Sequence, residues 1–194
     1  MSNKLDIDEH CLMVLALFTR GFSRSYYIRE VCRLLPISHG TAQSVLTRLE
    51  GKGVLSSEIK GKIRTFSLSR TDISRQYLVF TEVYKRLLFL ERKPFIGEVL
   101  SKVIVFVSGC TAVYGSYAKS TDHEDSDIDL FIAGTCDTDE VERLSRIYGI
   151  EINVKVYPQD LFAREFATDP LIREVLSDHV IIHDPENFIT TVVV

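Results

Sequence analysis

The sequence predicts an α+β chain of two domains: a small N-terminal domain of helices and a hairpin, and a C-terminal α/β domain with a mixed sheet. Three observations lead to this prediction. Apolar residues recur at helical spacing through most of the first 50 residues. A basic turn, Lys60-Gly61-Lys62, then separates two short segments, as in a hairpin. Further on, the β-branched run from Val103 to Gly109 is typical of a buried strand.

Composition limits the classes of protein to which the chain can belong. Its 194 residues, 45% hydrophobic and 26% charged, are typical of one or two globular domains. A net charge of -4 gives no overall basic surface, so binding to nucleic acid would need a local patch. No apolar run approaches the ~20 residues of a membrane span, and the polar first residues do not predict a signal peptide. The four cysteines include no CxxC pair, which predicts free thiols in a reducing cytoplasm.

Three short helices are predicted in the N-terminal domain. The first covers Glu9 to Leu17. The second is capped by Ser23 or Ser25 and stopped by Pro36. The third begins after the cap residue Ser38 and ends at a pair of glycines.

Three helices followed by a basic hairpin resemble a winged helix-turn-helix domain of the MarR or ArsR kind. In that fold the third helix enters the major groove and the hairpin, or wing, contacts the backbone or the minor groove. The resemblance implies DNA binding through residues 38–65. The side chains in contact would be Thr41, Gln43, Ser44, Arg48, Lys60, Lys62 and Arg64. The alternative is a domain that mediates only protein contacts, because the third helix carries few positive charges.

Residues 72–92 predict one strongly amphipathic helix. A helix at this place in dimeric winged-helix proteins often forms the dimer interface, so we expect a homodimer. The alternative is a helix that packs on its own domain or on the next one. Lys93-Pro94 ends the helix, which divides the chain into a winged helix domain (1–70), a connector (71–93) and the C-terminal domain (94–194).

An acidic loop leads into the predicted strand DIDLFIAG. Because side chains alternate along a strand, Asp127 and Asp129 share one face, with Cα atoms roughly 6.5 Å apart. Two ionised carboxylates this close repel each other, and burial increases the cost. A bound Mg²⁺ would compensate, because this cation binds one or two carboxylates together with phosphate oxygens and water.

Gly115-Ser116 precedes this loop and directly follows the preceding strand. A glycine lets backbone N–H groups approach a phosphate closely, and a serine hydroxyl can donate a hydrogen bond to it. We therefore expect the triphosphate of a nucleotide at the glycine turn and its metal ions at the two aspartates.

The pattern of an apolar strand, Gly-Ser, ten residues and then Asp-Ile-Asp-Leu resembles the nucleotidyltransferase superfamily that includes DNA polymerase β. Its minimal members, fused to a winged helix, are similar over nearly the full length. The resemblance implies that Gly115 and Ser116 hold phosphates, that Lys119 lies near them, and that Asp127 and Asp129 bind two Mg²⁺ ions. The implied reaction is attack by an acceptor hydroxyl on the α-phosphate of an NTP, with release of pyrophosphate.

The superfamily uses a third carboxylate on a neighbouring strand, often as the base that takes the acceptor's proton. The strand IEINVKVY offers two candidates. The register that the resemblance implies places Asn153 in this position, where an amide cannot act as a base. Glu151 lies on the same face, two residues away, and is the candidate for a substitute base; the alternative is a residue at the edge of the strand with no catalytic role.

Three functions remain open. The first is an enzyme that moves a nucleotide, AMP in the leading version, onto a hydroxyl of a protein or small molecule; a small helical toxin-like protein would suit as a partner. The second is a DNA-binding regulator whose C-terminal domain senses a nucleotide or a partner. The third is a dimeric interaction module that has lost both ligands.

Overall fold

The structure is a computed structural model that describes residues 6–193, apart from the side chain of Lys60. Two compact units are present, Met1–Thr81 and Glu82–Val194. The division falls inside a single helix, α4 (Asp72–Arg92), whose bounds match the predicted connector helix. The predicted domain boundaries after residues 70 and 93 remain a prediction.

The N-terminal unit contains helices and a small antiparallel sheet in the order that the sequence predicts. Its helices before α4 are α1 (Glu9–Phe18), α2 (Ile28–Leu34) and α3 (His39–Gly51). Its strands are β1 (Tyr26–Tyr27), β2 (Leu55–Lys60) and β3 (Ile63–Leu68), in the spatial order β1-β3-β2. Buried side chains from the helices and from β3 form one core.

A side-chain cap explains where α3 begins, but α2 begins without one. Ser38 caps α3 as predicted, because its side chain accepts a hydrogen bond from the backbone N–H of Thr41 at 3.1 Å. The predicted caps of α2 are wrong, since that helix begins after Tyr27. The preceding Tyr26 is buried in β1, where its hydroxyl donates to the backbone carbonyl of Leu17 at 3.0 Å. The helix therefore begins after a short extended segment, Tyr26–Tyr27, that lies between the predicted serine caps and α2.

The C-terminal unit has a mixed four-stranded sheet with the spatial order β6-β5-β4-β7, as the sequence predicts for this domain. The strands are β4 (Val107–Tyr114), β5 (Ile128–Cys136), β6 (Ile152–Tyr157) and β7 (Val180–His183). β4 is antiparallel to both β5 and β7, and β5 is parallel to β6. The helices are α5 (Pro94–Val103), α6 (Gly115–Lys119), α7 (Thr138–Tyr148), α8 (Gln159–Glu165), α9 (Pro170–Ser177) and α10 (Pro185–Val192).

The central strand β5 is covered on both faces. Leu130, Phe131 and Ile132 follow one another along the strand, and all three are fully buried. Because neighbouring side chains point to opposite faces, apolar groups must cover the sheet on both sides. The aspartates therefore begin a strand that continues directly into the core.

The predicted strand from Val103 to Gly109 is wrong in its first half. Helix α5 continues to Val103, a 3-10 turn covers Ile104–Phe106, and β4 begins only at Val107. A short β-branched apolar run cannot be distinguished by periodicity from a buried helix end. Within residues 6–193, no helix has the length and apolar character needed to cross a membrane.

Candidate functional site

The sheet register brings the predicted acidic residues together at one end of the sheet. Asp129, on β5, lies opposite Tyr114 of the antiparallel strand β4 and opposite Asn153 of the parallel strand β6. Asp127 directly precedes β5, and the Asn153 amide nitrogen donates to its Oδ2 atom at 3.3 Å. Two carboxylates and one amide therefore form a cluster where β4 ends and where β5 and β6 begin.

Gly115 gives the Asp129 carboxylate the space that it occupies. The chain turns from β4 into α6 at this glycine, with a φ angle of +67°. A Cβ atom built at this position would lie 2.1 Å from Oδ2 of Asp129. Sequence reasoning assigned this glycine to the approach of a phosphate and missed the steric role. Any side chain here would displace the carboxylate and strain the backbone.

Burial makes the Asp129 carboxylate electrostatically unfavourable. Removal from water raises the pKa of the Asp129 carboxyl above its ordinary value, and the charges of Asp127 and Glu174 raise it further. The Asn153 hydrogen bond and the charge of Lys119 act in the opposite direction but do not outweigh burial. A positive charge placed next to this carboxylate would therefore favour its ionised form.

Lys119 lies on α6, the short helix that begins at Gly115. Its ammonium donates to the carboxylate of Glu174, on α9, at 3.1 Å, and both side chains are exposed. On the same helix, the Ser116 backbone carbonyl accepts from the Thr121 N–H at 3.0 Å, which connects α6 to the acidic loop. The nearby basic residue implied by the family resemblance therefore already has an anionic partner, which sequence reasoning missed.

The two candidates for the third acidic position differ in their placement. Asn153 lies directly beside the two aspartates, whereas Glu151 precedes β6 and has an exposed side chain. The backbone carbonyl of Glu151 accepts from the N–H of Ile128 at 2.9 Å, so the residue still lies at this end of the sheet. The strand position opposite Asp129 is consequently neutral.

The available ligands fit one hard cation that also binds phosphate. Among the described residues, no group of three or more His, Cys, Asp or Glu side chains is arranged to hold a metal ion. Mg²⁺ is ordinarily bound through one or two carboxylates, with phosphate oxygens and water completing its octahedron. Asp127 and Asp129 supply two such carboxylates, and burial, followed by the charge of Asp127, raises the pKa of the Asp129 carboxyl.

One carboxylate of the acidic loop, residues 120–126, is buried and ion-paired. Glu124 and Asp125 are exposed, as expected for a solvated loop. Asp122 is not, because its side chain is only 7% exposed and forms an ion pair with Lys93. Its burial could not be read from an acidic run, in which each carboxylate looks equally solvated.

The predicted DNA-contacting residues of the N-terminal unit differ in exposure. Gln43 and Ser44 on α3 and Lys62 at the hairpin turn are exposed. Thr41 is half-buried, and its hydroxyl is 2.8 Å from that of Ser38. The side chain of Lys60 lies outside the described part of the chain.

The two arginines of this set form ion pairs with carboxylates of their own unit. Arg48 forms ion pairs with Asp8 at 2.6 Å and with Asp6 at 3.3 Å. Arg64 forms an ion pair with Glu50 at 2.6 Å. Both guanidinium groups would have to leave, or share, these partners to contact a base or a phosphate.

Comparison with known proteins adds one assignment. Residues 108–183 match the family model described as a nucleotidyltransferase domain, and this range contains Gly115, Ser116, Asp127, Asp129 and Asn153. No curated protein has significant sequence similarity to the chain.

Among solved structures, the chain is similar to TrmBL2, described as an archaeal chromatin protein with a novel mode of DNA binding. The two share 15% identity over 86% of this chain and 71% of that chain, with a TM-score of 0.31. A structural similarity this low carries no argument. The family match stands by itself: residues 108–183, within the C-terminal unit, are similar to a nucleotidyltransferase domain.

Proposed function

We propose that the C-terminal unit binds a nucleoside triphosphate with a divalent cation and transfers its nucleotide to an acceptor hydroxyl. The observation that supports this proposal is the cluster of Asp127, Asp129 and Asn153 over Gly115, inside the nucleotidyltransferase domain. The group transferred would be a nucleoside monophosphate, with AMP as the first candidate, and the acceptor would be a hydroxyl of a protein or a small molecule.

Each residue of the cluster has a proposed role. Asp127 and Asp129 would hold one Mg²⁺, and the backbone at Gly115 and Ser116 would hold phosphate oxygens. Lys119 would exchange Glu174 for a phosphate, since both groups of this exposed pair are accessible. When bound, the cation supplies positive charge to the phosphates and to the leaving pyrophosphate.

The amide of Asn153 would limit the turnover rate of such a site. A carboxylate at this position could hold a second cation and accept a proton, but the amide of Asn153 can do neither well. Glu151, exposed at the same end of the sheet, is the proposed substitute base. We therefore propose firm nucleotide binding with slow turnover.

The N-terminal unit supports a second proposal, sequence-specific or general DNA binding. Gln43 and Ser44 on α3 and Lys62 on the wing are exposed, and such groups contact base edges and phosphates. The alternative function is that of a DNA-binding regulator whose C-terminal domain senses a nucleotide or a partner without turnover. A homodimer and a small helical toxin-like partner also stay proposals.

Pyrophosphate release tests the first proposal. The full chain is incubated with Mg²⁺, each labelled NTP and a lysate of the source cell, and both pyrophosphate and labelled acceptor are measured. Asp127→Asn and Asp129→Asn should abolish the signal, whereas Asp125→Asn, an exposed acid of the same loop, should retain it. Nucleotide binding without pyrophosphate release would favour the regulator.

Fluorescence anisotropy with labelled duplex DNA tests the second proposal. Lys62→Ala should weaken binding and reduce its salt dependence, whereas Lys102→Ala, an exposed lysine of α5, should change neither. Absence of binding at low salt would leave only protein contacts for the N-terminal unit.

A further inference from the structure

We propose that Lys93 is a positioning residue that holds the acidic loop in the conformation that places Asp127 in the site. The inference rests on the proposed function for its catalytic meaning, but the ordering of the loop can be tested independently. Lys93 lies outside residues 108–183, so the family match says nothing about it. Sequence reasoning interpreted Lys93-Pro94 only as a helix break.

Lys93 reaches the loop from the junction between α4 and α5. It is the N-cap residue of α5, and Pro94 follows it at the first helical position. Its ammonium lies 2.5 Å from Oδ2 of Asp122 and 5.7 Å from the ring centroid of Tyr117. One cation therefore contacts both the loop and the helix α6 from which the loop departs.

Short contacts continue from this ion pair to Asp127. The Tyr117 hydroxyl donates to the backbone carbonyl of Ser126, the residue before Asp127, at 3.4 Å. The Ser126 hydroxyl accepts from the backbone N–H of His123 at 2.9 Å, and the Ser126 N–H donates to the His123 carbonyl at 3.0 Å. The loop is thus fixed at Asp122, His123 and Ser126.

Electrostatics explains why the ion pair is needed. Burial raises the pKa of Tyr117, and the charges of Asp122 and Asp127 raise it further, whereas the charge of Lys93 lowers it. The Tyr117 phenol therefore interacts electrostatically with all three charged side chains. A nearly buried carboxylate without a counter-charge is strongly unfavourable. Without Lys93, Asp122 would move into water and carry the loop with it.

The rest of the loop would assist that movement. Glu124 and Asp125 are exposed, and Asp127 follows two residues later. Like charges this close repel each other, and extension into solvent relieves the repulsion. The positive charge of Lys93 therefore counteracts the repulsion among the carboxylates of the loop. Lys93 affects cation binding indirectly, by keeping Asp127 in position.

Two readouts on the full chain test the proposal. Hydrogen–deuterium exchange reports the order of residues 120–126, and calorimetric titration with Mn²⁺ reports the site. Lys93→Met keeps most of the aliphatic stem and removes the charge. We expect exchange in the loop to be about tenfold faster and Mn²⁺ affinity to fall about fivefold. Lys93→Arg should restore both, and Lys102→Met, at an exposed position of α5, should change neither.

A charge-neutral pair separates this mechanism from general destabilisation. Asp122→Asn removes the buried carboxylate, so the double variant Lys93→Met/Asp122→Asn leaves no uncompensated charge. We expect the double variant to be closer to wild type than Lys93→Met in both readouts, which is a non-additive result. If Lys93→Met fails to fold, Lys93→Gln, which also removes the charge, takes its place in the comparison.

The outcomes distinguish the inference from the proposed function. Wild-type exchange rates in Lys93→Met would overturn the inference, and so would faster exchange with unchanged Mn²⁺ affinity. Additive effects in the double variant would also contradict it. If wild type binds no Mn²⁺, the proposed function fails, and the exchange measurement alone decides whether Lys93 orders the loop.

Discussion

The carboxylate of Asp129 lies directly over Gly115, and a methyl group at residue 115 would come within 2.1 Å of it. The two residues belong to different parts of the motif: the glycine directly follows β4, and the aspartate is the second residue of β5. Their separation in the sequence conceals a direct steric dependence. The glycine turn and the acidic strand therefore act as a single structural unit.

Gly115→Ala should abolish cation binding by displacing the Asp129 carboxylate. Gly149→Ala is a matched control, because Gly149 has a φ angle of +64° and nothing within 4 Å of a built Cβ atom. Both substitutions should cost roughly 1–2 kcal/mol of stability from backbone strain. Only Gly115→Ala should also lose Mn²⁺ binding, measured by calorimetry. Equal effects of the two variants on Mn²⁺ binding would contradict the steric role.

Asp129→Asn should stabilise the protein at pH 7 when no divalent cation is present. A carboxyl whose folded pKa is raised contributes stability below its unfolded pKa, about 3.8, and this contribution is lost as the pH rises through the folded pKa. At neutral pH the ionised Asp129 is therefore a cost to folding, which the amide removes. Urea denaturation in the presence of a chelator measures the difference. A less stable variant under these conditions would show that the charge is already compensated.

Asn153→Asp should strengthen cation binding and increase turnover. The substitution places a third carboxylate next to Asp127 and opposite Asp129. Mn²⁺ affinity should rise at least about tenfold, because affinity for hard cations grows with ligand charge. Without a cation the variant should be less stable than wild type, since three carboxylates repel. Asn153→Ala controls for loss of the amide, and unchanged affinity in Asn153→Asp would place residue 153 outside the site.

Lys85→Met should strongly destabilise the C-terminal unit. Glu82 is fully buried on α4, and the Lys85 ammonium lies 2.8 Å from one of its carboxylate oxygens. Loss of the cation leaves a buried charge uncompensated, which typically costs about 3–5 kcal/mol. Chemical denaturation measures this cost, and the double variant with Glu82→Gln should recover most of it. A cost in Lys85→Met below about 1 kcal/mol would mean that other groups neutralise Glu82.

The same pair predicts a loss of stability in acid. Burial alone would raise the pKa of Glu82, but the charges of Lys85 and His179 hold it down at about 2. Because this pKa is depressed, the stability is present above the unfolded value of about 4.5 and is lost as the pH falls toward 2. The decline in unfolding free energy over this range should be smaller in Glu82→Gln than in wild type.

Periodicity and capping chemistry were sufficient to predict much of the fold. Ser38 marked the start of α3, and the glycines after it marked its end, because both signals depend on residues within one turn. The mixed sheet was predicted together with the family resemblance, and β5 is indeed antiparallel to β4 and parallel to β6. The start of β4 could not be predicted, since Ile104–Phe106 is as β-branched and apolar as a strand.

Interactions between residues far apart in the chain could not be predicted from the sequence. Asp122 and Lys93 are 29 positions apart, and nothing in either neighbourhood indicates that they meet. Arg48 appeared to be a DNA contact on an exposed helix face, but Asp8 lies 40 positions away in sequence and binds it. Such pairs depend on tertiary approach, which local patterns do not encode.

Calorimetric titration of Mn²⁺, with and without a nucleoside triphosphate, tests the central claim most directly. The claim predicts saturable binding to wild type that the triphosphate strengthens and that Asp129→Asn removes, while Asp125→Asn leaves it intact. Binding that survives in Asp129→Asn, or no binding to wild type under either condition, would contradict the account.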